Sequence, residues 1–554
     1  MRTQLAAALC FLVPLVLFWP ATSFDFVTMD DPIYVYENPE VLGGLTADGI
    51  SWAFSTTHGS IVAPLTWISY MIDVSASGTD AAGFHRTNVI LHALNALLLF
   101  LLLSRATKSV VASALVALVF AVHPLRVESV AWITERKDVL STAYLLGAMH
   151  VYVVWAAKPS MRRMLGVAGL MLAGLLAKPM VVVLPLLLLA FDHWPLRREI
   201  GLRARVIEKW PLFALSAAFA LLTFFAHGRD GSAPNDVALG LGERLARIPV
   251  AYGFQFGKWV WPTDLVALVP DTAGVTTGWL LVGLIVLAGL IAAAFLLREK
   301  IPAVTAGATW FLLGLLPVTG VVTVGIAHLA DRFGYVPGIG LAIALVFGVK
   351  QALDGDETKS ASLQKAALGL GMIAVIALAV TTRPVLARWE NSETLFRHAI
   401  ETTGGNGYAY NYLGGWLAMQ GERDEARRLL ERAVDLDGSL VDAHANLAQL
   451  LLGVDDTRAL RHASRAVELD PTRMTAQVAY GGALLRNGRL DNAIRAYERA
   501  AELGPGNWQP VYNLGQAYML KGDARRAEAA LRKALSLSPG NPRVLAKLRE
   551  LRGG

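Results

Sequence analysis

Two adjacent carboxylates, Asp30 and Asp31, stand directly behind an apolar segment in the run Met29-Asp30-Asp31-Pro32. A carboxylate pair where a chain leaves a bilayer can do general-base work, because the fold can keep one group ionised and aim it at an acceptor hydroxyl. Asp-Asp-Pro is also ordinary turn chemistry, so the pair takes its meaning from its surroundings. From Phe24 to His85 the chain carries Asp25, Asp30, Asp31, Glu37, Glu40, Asp48, Asp73 and Asp80 and no Lys or Arg, which marks a non-cytoplasmic loop. Asp30, Asp31 and His123 could together assemble a divalent-cation site, yet their spacing forms no closed ligand pattern and no metal is demanded. Cys10 is the only cysteine, so disulfides within the chain and Cys-based metal sites are excluded.

The elements that must position these groups are membrane helices. At 554 residues, 54% hydrophobic and 17% charged, the chain is too apolar for one soluble domain and reads as a polytopic membrane protein. Its net charge of +6 lies largely in short loops between apolar runs, so it reports topology rather than nucleic-acid binding. Apolar runs at 5–20, 89–103, 110–122, 139–156, 164–177, 180–191, 211–226, 278–297, 303–324, 336–347 and 366–382 predict eleven spans. An odd count places everything after residue 382 on the same side as the Asp30 loop, residues 23–86. The first run is read as a retained helix, with a secretory signal cleaved near Ala21-Thr22-Ser23 as the alternative.

Both flanks of 164–191 are basic, so this stretch is expected to cross twice, with the turn at Lys178 sunk below the outer surface. The alternative is one kinked helix with Lys178 snorkelling. An outer segment from His227 holds Asp230 and Asp236. It leads into an amphipathic stretch, 239–260, whose Tyr252 and Trp259, with Trp261 just beyond, suit an interfacial position.

Ala399, Ala433, Ala466, Ala500 and Ala534 recur at intervals of 34, 33, 34 and 34. That period, with helix ends at Asp437-Gly438, Asp470-Pro471, Gly504-Pro505 and Ser538-Pro539, is the tetratricopeptide pattern. The expected division is a membrane domain at 1–382 and a repeat domain at 383–554, holding a half repeat, about four repeats and a capping helix. Solenoids present concave surfaces to peptides and proteins. Tyr408, Tyr412, Asn446 and Asn513 are candidate acceptor contacts, with packing inside the superhelix as the alternative for each.

The run His123-Pro124-Leu125-Arg126-Val127-Glu128-Ser129-Val130-Ala131-Trp132, continuing through Glu135-Arg136-Lys137-Asp138, resembles a loop of transmembrane and tetratricopeptide proteins related to protein O-mannosyltransferases. The Asp30-Asp31 loop, Ala177-Lys178-Pro179, the run 330–337 and Trp389-Glu390-Asn391-Ser392 resemble the same family, in the same order. The resemblance implies an all-α chain: a GT-C-like helix bundle followed by an α-solenoid. It also implies a glycosyltransferase taking a sugar from a polyprenyl-phosphate carrier, with Asp30 as the general base, Asp31 as its neighbour or orienter, and inversion at the anomeric carbon. Animal members have His-x-x-His-x-Glu in the second loop, whereas Arg126 stands at the second histidine here, which weakens any transfer of donor or acceptor preference.

The residue chemistry agrees with that donor. A leaving phosphate gains charge in the transition state, so fixed cations in a dry site are useful. Lys178 and Arg332 rank first because their flanks are most apolar, followed by Arg126, Arg136 and Lys137; each could instead serve a lipid headgroup or topology. His123, Glu128 and Asn38 are candidate sugar or phosphate contacts, although His123 beside Pro124 could simply cap a span. The expectation is an inner-membrane enzyme with its site and repeats on the periplasmic face. It would move a hexose, mannose first, to a protein or glycan acceptor, without a required cofactor and with no nucleic-acid partner. A non-catalytic repeat scaffold and a transporter are the rivals. Against the transporter, the candidate charges gather at one face instead of crossing the midplane.

Overall fold

In the computed structural model, residues 3–56, 58, 62–227, 240–269, 276–319, 329–354 and 360–553 are described. The expected outer segment with Asp230 and Asp236, and the end of the 303–324 run, lie outside them. The chain divides into two compact units, Met1–Leu395 and Phe396–Gly554. The boundary lies beyond residue 382 because the segment after that point is bound into the first unit. Thr28 N donates to Ser392 Oγ (2.9 Å), and Asp25 N donates to the Glu390 carbonyl (2.9 Å).

The first unit opens with α1 (Thr3–Phe18), then folds the acidic loop into α2 (Pro39–Leu42), α3 (Ala47–Ser55) and α4 (Pro64–Ser77). This loop is not loose chain. Its aromatic residues Tyr34, Trp67, Tyr70 and Phe84 are buried together, and Tyr34 stacks on Trp67 at 4.8 Å. Next comes α5 (Ala81–Thr107), which starts inside the expected loop because Asp80 caps it by accepting from Ala82 N. Lys108, in the left-handed conformation with φ 59°, ends it.

The chain continues through α6 (Val110–Val122), α7 (Val127–Ala131), α8 (Arg136–Ala157), α9 (Met161–Ala177), α10 (Leu184–His193), α11 (Leu202–Ile207) and α12 (Trp210–His227). Last come α13 (Leu241–Val260), α14 (Thr277–Leu296), α15 (Pro302–Leu315), α16 (Pro337–Asp354) and α17 (Ser360–Ala387).

The described residues of each of the eleven apolar runs fall mainly on one of these helices. Among the described residues, six helices are long and apolar enough to cross a membrane, and α6 with the bent segment Pro124–Ala131 makes a seventh candidate. The segments Pro179–His193, Trp210–Phe225 and Pro302–Val318 are apolar but shorter. In α14 the mean hydropathy is 2.7, yet only 6% of its central window is buried. A helix apolar on every side and uncovered by protein needs lipid around it. Close packing inside the bundle is set by small residues: a Cβ on Gly307 would meet the Gly340 carbonyl oxygen at 2.3 Å, so α15 and α16 press backbone to backbone and fix where Pro337 begins.

The second unit is built of helix pairs: Gly407–Gln420 with Arg423–Leu436, Val441–Leu451 with Asp456–Leu469, Met474–Arg486 with Leu490–Leu503, and Trp508–Lys521 with Ala524–Leu537. Pro542–Gly553 follows. The recurrent alanines at 433, 466, 500 and 534 are fully buried, and Gly414 and Gly515 leave room for Leu430 and Leu531.

Candidate functional site

The two carboxylates of the opening motif are held differently. Asp31 is buried and spends both oxygens on the protein: Oδ2 accepts from Val27 N (2.9 Å), and Oδ1 accepts from Thr134 N (3.2 Å) and from the Thr134 hydroxyl. Burial pushes its carboxyl up to about 7, against the Thr134 and Val27 hydrogen bonds and with the help of the neighbouring Asp30 charge. Asp31 therefore ties the loop to the segment ahead of α8. Asp30 is half-buried, and among the described residues its carboxylate makes no hydrogen bond. Burial raises its affinity for protons, while Lys137 and Arg332 oppose the rise and Glu135 adds to it. Asp30 is thus the free carboxylate of the pair, within electrostatic reach of two of the candidate cations.

Those cations gather on Glu135. Lys178 Nζ lies 3.0 Å from Glu135 Oε2 and 2.7 Å from Asp138 Oδ1. Arg332 Nε lies 3.1 Å and Lys137 Nζ 3.5 Å from Glu135 Oε1. The expected break at Lys178 is present: α9 ends at Ala177, Lys178 is extended, and a short 3-10 turn, Pro179–Val183, precedes α10. Arg332 is set by Glu128, whose carboxylate takes both its backbone N–H (2.8 Å) and its guanidinium, and by the Trp132 and Phe333 rings. Burial works against the Arg332 cation, but Glu128 and Glu135 hold its proton more tightly than usual.

The turn carrying Arg332 is pinned at several carbonyls. Gln255 donates to the Ala330 carbonyl (2.6 Å), Arg126 to that of Gly334 (2.8 Å), and the Trp310 indole to that of Val336 (3.0 Å). Asp331 has one oxygen on Val266 N and the other without a partner among the described residues; burial pushes it up to about 8, with Glu128 adding and Lys258 opposing.

Lys178, Arg332 and Asp138 line a narrow cleft whose enclosed space is about 20 Å³, room for a water or two. Its remaining wall is mainly apolar, with Leu145 from α8, Met180 and Val181 after the Lys178 break, and Val336 and Pro337 at the start of α16. Lys178 and Arg332 each keep 15% of the side chain exposed, against 3% for Glu135. The arrangement is an ion-paired polar end, Lys178 and Arg332 with Asp138, beside a mainly apolar wall inside a helix bundle.

Other expected site residues lie away from the cleft lining. Arg136, fully buried, donates to Asn88, Ser69, Asp73 (2.6 Å) and the Phe84 carbonyl, so it staples α8 to α4 and α5 and does not line the cleft. Arg126 is also fully buried, between the Phe120 and Tyr335 rings and against Gly338, and does not reach the cleft lining. His123 accepts from Leu125 N at Nδ1 and donates from Nε2 to the Trp259 carbonyl (2.9 Å), so it caps the bend after α6. With both imidazole nitrogens and both Asp31 oxygens engaged, Asp30, Asp31 and His123 do not assemble the divalent site considered above. Asn38 caps α2 through Oδ1, which accepts from Glu40 N and Val41 N. Glu128 positions Arg332 instead of facing the cleft.

In the repeats, Tyr408 packs on the Ala433, Leu440 and Ala443 cluster and Tyr412 stacks on Phe396 at 5.2 Å. Asn446 donates to Asn411 Oδ1 (3.0 Å), while Asn513 is half-buried on Trp508–Lys521.

Glu135 and Asp138 are the residues the sequence reasoning passed over. Their i, i+3 spacing at a helix start puts them on one face, a signal present in Glu135-Arg136-Lys137-Asp138 but overshadowed there by the two cations.

Matches to the tetratricopeptide repeat family cover residues 407–436, 455–507 and 484–551, so the second unit carries tetratricopeptide repeats. The chain is 33% identical over 136 residues to protein O-mannosyl-transferase TMTC1 of Mus musculus, covering 22% of this chain and 14% of that protein. It is 31% identical over 141 residues to protein O-mannosyl-transferase F38B6.6 of Caenorhabditis elegans, covering 23% of this chain and 20% of that one. The matched stretch thus spans a fifth or less of these curated relatives. Among solved structures, the Pseudomonas aeruginosa pilF protein is similar at 26% identity over 26% of this chain and 67% of its own, with a TM-score of 0.25.

Proposed function

We propose that this chain is an integral membrane glycosyltransferase of the GT-C type. In this reading it moves a hexose, mannose first, from a polyprenyl phosphate to a hydroxyl of a protein or glycan acceptor. The observation that carries it is the cleft: two cations at the polar end of a mainly apolar wall, with the Asp30 carboxylate, which makes no hydrogen bond among the described residues, in electrostatic reach of one of them. Asp30 takes the proton of the acceptor hydroxyl as its oxygen attacks the anomeric carbon. The bond from that carbon to the phosphate oxygen breaks, and the phosphate leaves with the electron pair, its charge met by Lys178 and Arg332. Attack opposite the leaving group inverts the anomeric centre. With fixed cations supplying the charge, the step needs no divalent ion.

The absence of Lys and Arg between Phe24 and His85 favours a non-cytoplasmic, in a bacterium periplasmic, face for this chemistry. The repeats serve as the recruiting surface for the acceptor.

The test uses membranes containing wild type or Asp30→Asn, supplied with labelled polyprenyl-phosphate hexoses, with protein abundance matched. Transfer by wild type and loss by at least about a hundredfold in Asp30→Asn is expected for removal of a general base. Equal transfer by the two proteins would remove Asp30 from the mechanism. No transfer by wild type from any donor, with the repeats still retaining a partner, would favour a membrane-anchored scaffold.

A further inference from the structure

Along α8, Asp138, Ser141, Thr142 and Leu145 fall at i, i+3, i+4 and i+7, and all four line the cleft. This single face grades from a carboxylate, through two hydroxyls, to an aliphatic side chain over roughly 10 Å of helix. The two hydroxyls differ. Ser141 Oγ donates to the Asp138 carbonyl (3.3 Å). Thr142 is 1% exposed, and its Oγ1 has no hydrogen-bond partner among the described residues. A helical threonine can fold its hydroxyl back onto the carbonyl one turn earlier; for Thr142 that is the Asp138 carbonyl, which Ser141 Oγ uses, and Thr142 makes no such bond. A buried hydroxyl left without a partner is costly, and Thr142 lines the same cleft as Lys178, Arg332 and Leu145.

We infer that Thr142 is a ligand of the lipid donor's phosphate. Its hydroxyl donates to a phosphate oxygen that Lys178 and Arg332 hold from the other side, while the isoprenoid chain runs on past Leu145, Met180 and Val181. This rests on the glycosyltransferase reading for the identity of the donor, but the phosphate contact itself can be tested without turnover. A cation attracts any anion. A neutral hydroxyl at the junction of the polar and apolar walls adds a directional contact, which selects an amphiphile whose phosphate sits directly at the head of its chain.

The experiment compares purified full-length wild type, Thr142→Val and Thr142→Ser. Valine keeps the branched shape and removes the donor; serine keeps the donor. Equilibrium binding is measured for a short-chain isoprenyl monophosphate, the matching isoprenyl alcohol and inorganic phosphate, and kcat/KM is measured with the labelled sugar donor.

The expected result is that Thr142→Val weakens isoprenyl monophosphate binding and lowers kcat/KM by roughly tenfold, the cost of one hydrogen bond to a charged group. Binding of the alcohol should be unchanged, and Thr142→Ser should stay within about threefold of wild type. Unchanged binding in Thr142→Val, or equal losses in the valine and serine variants, would overturn the inference in favour of packing. Inorganic phosphate bound as tightly as the isoprenyl monophosphate would overturn the lipid assignment. If wild type transfers no sugar, yet Thr142→Val selectively loses the isoprenyl monophosphate, the inference stands and the enzyme reading falls.

Discussion

The first unit contains two buried clusters of charge made from the same side-chain types, and they differ in what they leave unfinished. Around Asp192, Tyr152 donates to Oδ1 (2.7 Å) and Lys209 to Oδ2 (2.5 Å). Lys209 also donates to Glu208 (2.8 Å), and Arg198 pairs with Glu208 and lies over the Trp155 ring. The side chains of Lys209 and Asp192 are wholly buried. Around Glu135, by contrast, Lys178 and Arg332 line a cleft and, among the described residues, Asp30 has no hydrogen bond and the Thr142 hydroxyl no partner. Charge pairing alone therefore does not mark a site, because structural networks use it equally. The incomplete pairing beside a cavity does, since a fold tolerates unsatisfied groups mainly where a ligand satisfies them.

The largest expected effect breaks the closed cluster. Lys209→Met takes the nearest cation from the fully buried Asp192, leaving it Arg198 at 3.6 Å and the Tyr152 hydroxyl, and losing one partner of such a pair costs up to about 3–5 kcal/mol. Thermal or denaturant unfolding in detergent should show that loss, with no change in activity per folded molecule. If Lys209→Met instead kept its stability and lost transfer, the two clusters would have been assigned the wrong way round. Lys178→Met is expected to do the opposite. Glu135 keeps Lys137 and Arg332, and Asp138, which loses its cation, keeps the Ser129 hydroxyl (3.1 Å) at the cleft wall, so the stability loss should be smaller than for Lys209→Met, while transfer falls about 10²–10³-fold for loss of one preorganised group on the leaving phosphate. Steady-state rates beside melting curves separate the two behaviours.

A smaller effect concerns pH. Burial raises the proton affinity of Asp30, and a general base must be unprotonated, so activity should fall on the acid side with a midpoint above the ordinary aspartate value of about 4. Lys137 is the foremost charge opposing that rise. Lys137→Met should therefore move the acid limb to higher pH, because removing a nearby cation favours the protonated carboxyl. A limb that stays in place in a pH–rate profile would dissociate Asp30 from the titration. Repeating the profile with Lys209→Met should leave it unchanged, since Lys209 is not among the groups acting on Asp30.

Much of the architecture was legible because it is written in local periods. The apolar runs coincide with helices, and the recurrence of alanine at 399, 433, 466, 500 and 534 marks the repeat helices that bury them. Lys178 and Arg332 could be singled out as well, because a charge between strongly apolar flanks needs a special reason to be there. Partnership was not legible. Lys178 meets Glu135 across 43 residues and Arg332 meets Glu128 across 204, and no local pattern encodes such pairs. For the same reason the sequence could rank Arg126 and Arg136 below Lys178 by their less apolar flanks but could not say what holds them. Only the fold shows that one is wedged between aromatic rings and the other is a four-way staple. Asp30 and Asp31 are chemically identical in the sequence, and Thr134, more than a hundred residues away, decides which of them stays free.

The smallest effect comes from the repeats, where a third class of pair calibrates the other two. Arg458 lies 2.8 Å from Glu431, closer than Arg332 Nε lies to Glu135, yet both side chains are more than a third exposed. Water already solvates these charges, so forming the pair gains little and must order two long side chains, leaving about 0.2–1 kcal/mol. Arg458→Ala should therefore shift unfolding of the full chain by no more than that, and high salt should shrink the shift further, because exposed pairs are screened. Distance is nearly the same in all three clusters while the expected cost of breaking them spans about an order of magnitude. A loss for Arg458→Ala as large as that for Lys209→Met would mean that pairing geometry, and not burial, sets the cost, and the contrast between the closed and open clusters would lose its physical basis.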